Sequence, residues 1–179
     1  MSRIQYTEQQ SFRQVLWIWL IIIPIAFLSS LGILFGFYQQ LILGEPWGNE
    51  PMSDGGMITV MLVVSIVQVL VIWFVSSISV SIEITGEEFR YKFFARFTDW
   101  NVLTPPQITG YSLEKYSFWK ARGLGYRKDI FRKTVSMIIK PDHILSVKIN
   151  DGRTIMISTE NKEELERAMQ KLMSKSENF

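Results

Sequence analysis

The chain has 179 residues, a net charge of +2, 20% charged and 47% hydrophobic residues, one histidine and no cysteine. The lack of cysteine excludes disulfide frameworks, thiolate zinc sites, iron–sulfur clusters and a cysteine nucleophile. With His143 as the single histidine, a three-histidine metal centre is excluded as well. The composition therefore removes the commonest metal and nucleophile chemistries before any motif is considered.

Two long uncharged runs, which begin after Arg13 and after Asp54, dominate the first half of the chain. Each is longer than the roughly 20 apolar residues that a membrane-spanning helix needs. The sequence predicts transmembrane helices over 15–38 and 57–77. One rival interpretation is a pair of buried core helices in a soluble protein. Another is a cleaved signal peptide over the first run, although the run exceeds the usual apolar region of about 7–15 residues.

The basic residues are distributed unevenly around these runs. Segment 1–14 carries two arginines, whereas segment 39–56 carries acidic residues and no basic one, and every other basic residue follows the second run. Because cytoplasmic flanks are enriched in lysine and arginine, we expect 1–14 to be a cytoplasmic segment and 39–56 to be an extracytoplasmic loop. Both termini are then cytoplasmic.

Inside the predicted helices there are few polar or small residues. Gly32 and Gly36 form a small-xxx-small pair, which allows close helix approach, and the amide of Gln68 needs a hydrogen-bond partner in hydrocarbon. We therefore expect Gly32, Gly36 and Gln68 to make helix–helix contacts, either within one chain or between two copies.

After the second run, apolar residues recur at every second position, which is the pattern of half-buried strands. The pattern predicts strands over 77–84, 89–93, 108–116, 134–139, 145–149 and 153–158. Residues 100–107 indicate a loop, and residues 119–129 a loop or an irregular strand. Asp151-Gly152 predicts a tight hairpin turn of the primed type, which needs positive φ.

A helix closes this region, which we place at 78–173 and follow with a flexible tail at 174–179. Asn161 is the expected N-cap, with Glu164 as its capping-box partner. The apolar face of the helix repeats at helical spacing and comprises Leu165, Ala168, Met169, Leu172 and Met173. A helix with such a face packs on a core.

The segment from Lys115 to Lys140 contains eight basic residues and one acidic residue, with aromatic residues between them. It could be a set of solvated loops, or it could contact the anionic inner leaflet or a partner. Nucleic-acid binding is disfavoured because no recognition motif accompanies the charge. The candidate contact residues are Lys115, Lys120, Arg122, Arg127, Lys128, Arg132 and Lys133.

The order of these elements, with several short motifs, resembles the bacterial PH-like domain families that follow one or two membrane helices. The motifs are GLGYRK at 123–128, the hairpin at 151–153, Thr159 at the end of the last strand and Glu163-Glu164-Leu165 at the start of the helix. The motifs cover one half of the soluble part, and the other half matches only by strand order. The resemblance implies a split barrel of seven strands with a C-terminal helix, and it carries over no catalytic residue.

The sequence therefore predicts two transmembrane α-helices plus an α+β cytoplasmic domain, a PH-like split β-barrel with a C-terminal capping helix, in the bacterial inner membrane. No catalytic, cofactor-binding or metal-binding residue is predicted. The leading hypothesis is a non-enzymatic, membrane-anchored interaction module that binds a partner protein or a second copy of itself and contacts membrane lipid, with no nucleic acid. The alternative is an oligomeric two-helix channel or transport accessory subunit.

Overall fold

The computed structural model describes residues 3–94, 99–117, 119 and 123–174. It divides into two compact units. The helical unit is Val15–Ser76, and the β unit consists of Met1–Gln14 together with Ser77–Phe179. The helical unit is therefore inserted into the chain of the β unit, which the sequence did not predict.

The helical unit contains two long apolar helices. Helix α1 (Leu16–Phe37) continues into a π-helical turn (Tyr38–Ile42), and α2 spans Asp54–Ser77. Both are long and apolar enough to cross a membrane, and 0% of the most apolar 18-residue window of either helix is buried. The interpretation as core helices of a soluble protein therefore does not fit, because such helices would be covered on all sides.

The β unit is an α+β region built on two sheets. The first sheet has the order β1-β2-β3-β4 and is antiparallel, with strands at Ile4–Ser11, Ser79–Thr85, Phe89–Phe94 and Asn101–Leu103. The second has the order β5-β8-β9-β7-β6, with β5 to β9 at Ile108–Lys115, Gly125–Asp129, Thr134–Ile138, His143–Ile149 and Thr154–Thr159. Only the β7–β9 pair of this sheet is parallel. Helix α3 (Lys162–Ser174) ends the described chain.

The core lies between the inner faces of the sheets and α3. Alternate residues of β2 (Val80, Ile82 and Ile84) are at most 1% exposed, as the period of two predicts. Helix α3 buries four of its five predicted face residues against the sheet region and contacts β1 and β2, whereas Met173 is half-buried. The C-terminal helix and its orientation are thus confirmed.

Three strands differ from the sequence prediction. β1 was not predicted at all, and β4 and β6 lie where loops or an irregular strand were expected. β4 has three residues and β6 has a half-exposed pattern, so neither shows the apolar alternation that marks a strand.

The hairpin at Asp151-Gly152 is present, but its turn differs from the primed type. The Gly152 N–H donates to the Ile149 carbonyl at 3.0 Å, the Ile149 N–H donates to the Arg153 carbonyl at 2.8 Å, and only Gly152 has positive φ. This is a three-residue loop, a type I turn followed by a left-handed glycine.

Candidate functional site

Strand β1 lies across the ends of three strands of the second sheet. Glu8 contacts Thr159 at the end of β9, Gln10 contacts the backbone of Lys140 just after β7, and a Cβ on Gly125 at the start of β6 would lie 3.9 Å from the Phe12 ring. These contacts follow the order β9, β7, β6, which is the order of the strands in the sheet. We call this side of the second sheet the crossed edge.

The side chains that join β1 to the crossed edge are polar. Tyr6, Glu8 and Gln10 pair with Ile84, Ile82 and Val80 of β2, so they occupy the core-facing side of β1. Together with two hydroxyl residues of β9 they form a polar cluster, defined as Tyr6, Glu8, Gln10, Ser158 and Thr159.

Glu8 is the central acceptor of the polar cluster. Its Oε1 accepts from Gln10 Nε2 at 2.7 Å and from the Glu160 N–H at 2.8 Å. Its Oε2 accepts from Thr159 Oγ1 at 2.7 Å and from the Tyr6 hydroxyl. Two donors therefore occupy each carboxylate oxygen, which is an arrangement suited to holding structure.

Gln10 and Ser158 form a second, fully buried part of the cluster, and each is 0% exposed, as Thr159 is. Ser158 Oγ donates to Gln10 Oε1 at 2.6 Å and accepts from the Ile139 N–H at 3.0 Å, while the Lys140 N–H donates to Gln10 Oε1 at 3.3 Å. The cluster thereby provides acceptors for backbone donors at the ends of β7 and β9, which the sheet itself leaves unpaired.

Alkaline pH is expected to destabilise the β unit through Tyr6. Burial, and then the hydrogen bond to Glu8, raise the pKa of the Tyr6 phenol well above its ordinary value of 10.0. Because the unfolded chain ionises this group first, the free energy of unfolding falls as pH rises above 10. Tyr6→Phe removes that contribution, so its unfolding free energy should fall less steeply with pH. Urea titrations of both proteins from neutral to alkaline pH test this, and parallel curves would contradict it.

The fold divides the basic segment between opposite edges of the second sheet. Lys115 ends β5 at the level of the crossed edge, since it pairs with His143, which in turn pairs with Thr159. Arg127 and Lys128 lie along β6, and Arg132 and Lys133 lie in the turn after it, at the opposite edge. Lys120 and Arg122 lie outside the described residues. The five candidate residues that the structure describes thus do not form one patch.

The residues that directly follow β5 and directly precede β6 lie at the crossed edge. Tyr116 and Leu124 pack against a buried pair, Ile138 and Ile144, on the second sheet. Between them Trp119 is 86% exposed. An exposed aromatic residue therefore lies in the sequence between two anchored residues, four positions after Lys115.

In the helical unit, Gln68 contacts the first helix. Its Nε2 donates to Ser29 Oγ at 2.8 Å and to the Ala26 carbonyl at 3.3 Å, and its Oε1 accepts from Ser30 Oγ at 3.0 Å. The amide that a channel would present to a pore is thus bonded within the helical pair.

The two glycines of α1 do not make the expected contact with α2 within one chain, and contact between two copies stays a prediction. A Cβ on Gly36 would lie 2.6 Å from the Trp47 ring, so the close approach there is to the segment between the helices rather than to α2. A Cβ on Gly32 would meet no atom within 4 Å among the described residues. Neither glycine therefore mediates the α1–α2 contact.

Comparison with known proteins gives no family for this chain. The sequence matches no protein-family model and no curated protein. Within the described part of the chain, no three histidine, aspartate or glutamate side chains come together as a metal site. The function of the chain has therefore to be inferred from its own geometry and charges.

Proposed function

We propose that this chain is a non-enzymatic, membrane-anchored interaction module of the bacterial inner membrane. Its two helices span the bilayer, both termini lie in the cytoplasm, and its β unit is a PH-like split barrel. The β unit binds a partner protein and contacts anionic lipid through Lys115 and Trp119.

The observation that carries this proposal is the pairing of Ser11 with Ser79 at the point where the helical unit interrupts the β unit. Only residues 12–15 separate β1 from α1, and only Ile78 separates α2 from β2. With helices in the bilayer, two such short connections keep the β unit beside the headgroup layer. This arrangement favours a module that is displayed on a membrane over a freely diffusing enzyme.

The split-barrel assignment is supported by the way the two sheets meet. They do not close through backbone pairing among the described residues, but β1 crosses the gap and its polar cluster bridges it, and α3 contacts β1 and β2. The nine strands of the described ranges exceed the seven that the PH-like resemblance implies. The internal bonding of the polar cluster supports a structural role for the residues that would otherwise be the best candidates for chemistry.

Lipid contact is supported by two described residues. Trp119 is exposed and lies in the sequence between Tyr116 and Leu124. Lys115 ends β5 at the level of the crossed edge. Exposed aromatic residues favour the membrane interface. A basic residue near an anionic leaflet gains about 1 kcal/mol. The basic residues at the opposite edge lie farther from Phe12, where the chain leaves for α1, so the lipid contact does not include them.

An environment-sensitive dye at position 119 tests this proposal. Because the chain has no cysteine, Trp119→Cys takes up one dye in the full chain. In nanodiscs, the dye emission is expected to shift to the blue when phosphatidylglycerol is added to phosphatidylcholine, and high salt should reverse the shift. Phe131→Cys is the matched control, and its emission should stay the same in both lipids. Equal emission at position 119 in both lipids, or equal shifts at both positions, would refute the lipid contact.

A further inference from the structure

The turn between β6 and β7 presents apolar side chains to solvent. We call residues 129–133 the β6–β7 tip. Phe131 is fully exposed and Ile130 is 77% exposed. Exposed apolar side chains on a hairpin contribute nothing to the core of the β unit, and such side chains mark contact sites when polar residues surround them.

Hydrogen bonds brace the backbone of the β6–β7 tip. The Arg132 N–H donates to Asp129 Oδ1 at 3.1 Å, and Thr134 Oγ1 donates to the Arg132 carbonyl at 3.1 Å. Lys133 adopts φ of 49°, and its carbonyl accepts from the Thr154 N–H at 3.0 Å. Phe131 therefore projects from a hydrogen-bonded turn, so binding a partner there costs little backbone entropy.

A cavity of about 330 Å³ lies beside the tip. Ile130 and Val135 give it an apolar wall, and Lys128, Lys133 and Arg153 lie around it. Of its two carboxylates, Asp151 is already engaged, because Arg153 Nε lies 2.6 Å from Asp151 Oδ2. The backbone N–H and the guanidinium of Arg153 lower the pKa of Asp151. The surroundings of the cavity thus keep an excess of positive charge.

We infer that the β6–β7 tip is the docking site for an acidic protein segment that carries an apolar side chain. The apolar side chain fills the cavity against Ile130 and Val135, carboxylates of the segment pair with Lys128 and Lys133, and Phe131 packs on the partner surface. Charge complementarity identifies the occupant as acidic. The inference rests on the proposed function and names the partner class for its β unit.

A protein rather than the bilayer fits this position. The tip and Gly125 are at opposite ends of β6, four residue steps or roughly 13 Å apart, and Gly125 lies beside Phe12, where the chain leaves for α1. The apolar tip therefore lies away from the connections that hold the β unit to its helices. An acidic surface would also be repelled by the anionic lipid that the crossed edge is proposed to contact.

A photocrosslinking amino acid, p-benzoylphenylalanine, at position 131 of the full chain tests the inference in native membranes. We expect a protein adduct whose crosslinked peptide has more acidic than basic residues. The charge-reversed background Lys128→Glu/Lys133→Glu should lower the adduct yield at least 10-fold. Lys148→Glu, an exposed lysine of β8, is the matched control and should leave the yield unchanged.

Each other outcome overturns the inference. An adduct with lipid alone would make the tip a membrane contact, and an adduct with a second copy of this chain would make it a homodimer contact. A neutral or basic crosslinked peptide, an adduct insensitive to charge reversal, or no adduct would remove the acidic partner. A lipid adduct predicts a dye shift at position 131 as well and so bears on both proposals. The other results leave the dye test at position 119 unaffected, so failure of the inference can be told from failure of the proposed function.

Discussion

Joining Phe12 to Ile78 through an Asn-Gly turn, with residues 13–77 removed, is expected to give a soluble and folded β unit. The two ends are already neighbours, since Ser11 pairs with Ser79 and the Phe12 N–H donates to the Ile78 carbonyl at 3.0 Å. Asn-Gly takes the type I′ turn that joins adjacent antiparallel strands. A monomer on gel filtration with a cooperative urea transition would verify the prediction.

The matched control is the fragment 79–179, which differs from the fusion mainly by lacking β1. It leaves the edge of β2 unpaired and removes three of the five polar-cluster residues. Because a domain is typically stable by only about 5–15 kcal/mol, we expect this loss to abolish cooperative folding and cause aggregation. If the fragment unfolded cooperatively at the same urea concentration as the fusion, β1 would have no structural role.

What could be predicted from the sequence was the part governed by local burial. Both long helices follow from their composition, and the strands around Val80, Leu145 and Ile157 follow from alternation of apolar and polar residues. The buried face of α3 follows from helical spacing in the same way. In each case the residue's environment is set by its own element, so a short window of sequence is informative.

β1 could not be found this way, because its core-facing residues are polar. Tyr6, Glu8 and Gln10 recur at every second position, but they face the gap between the sheets, where backbone donors need acceptors rather than apolar cover. Its partner β2 lies beyond the entire helical unit. A period-two repeat of hydrogen-bonding residues directly before the first helix was the available signal.

The basic segment shows a second limit of prediction from the sequence. Lys115 and Lys133 belong to one charged run in the sequence, yet β6 carries the chain from the crossed edge to the opposite edge between them. Sequence proximity therefore predicted one surface where the fold makes two. Only the strand order shows that the residues of the proposed lipid contact and those of the proposed partner contact lie at opposite edges of the sheet.

Gln10→Leu is expected to lower the free energy of unfolding of the β unit by about 3 kcal/mol. The side chain is 0% exposed, and its loss leaves the Ser158 hydroxyl and the Lys140 N–H without their acceptor in a place that water does not reach. Each buried unpaired donor costs about 1–3 kcal/mol, and the added apolar burial of leucine offsets only part of this. Hydrogen exchange at the amides of Ile139 and Lys140 in the full chain, with urea unfolding of the fusion, measures the loss.

Gln9→Leu supplies the matched control, since the same change is made one residue away on the exposed side of β1. It should alter stability by no more than about 0.5 kcal/mol. Because Gln10 and Ser158 share a hydrogen bond, Gln10→Leu/Ser158→Ala should cost about 1 kcal/mol less than the sum of the single variants. Equal effects of Gln9→Leu and Gln10→Leu would show that the strand tolerates leucine on either face. The connection between the two sheets would then depend on backbone packing and not on the hydrogen bonds of the polar cluster.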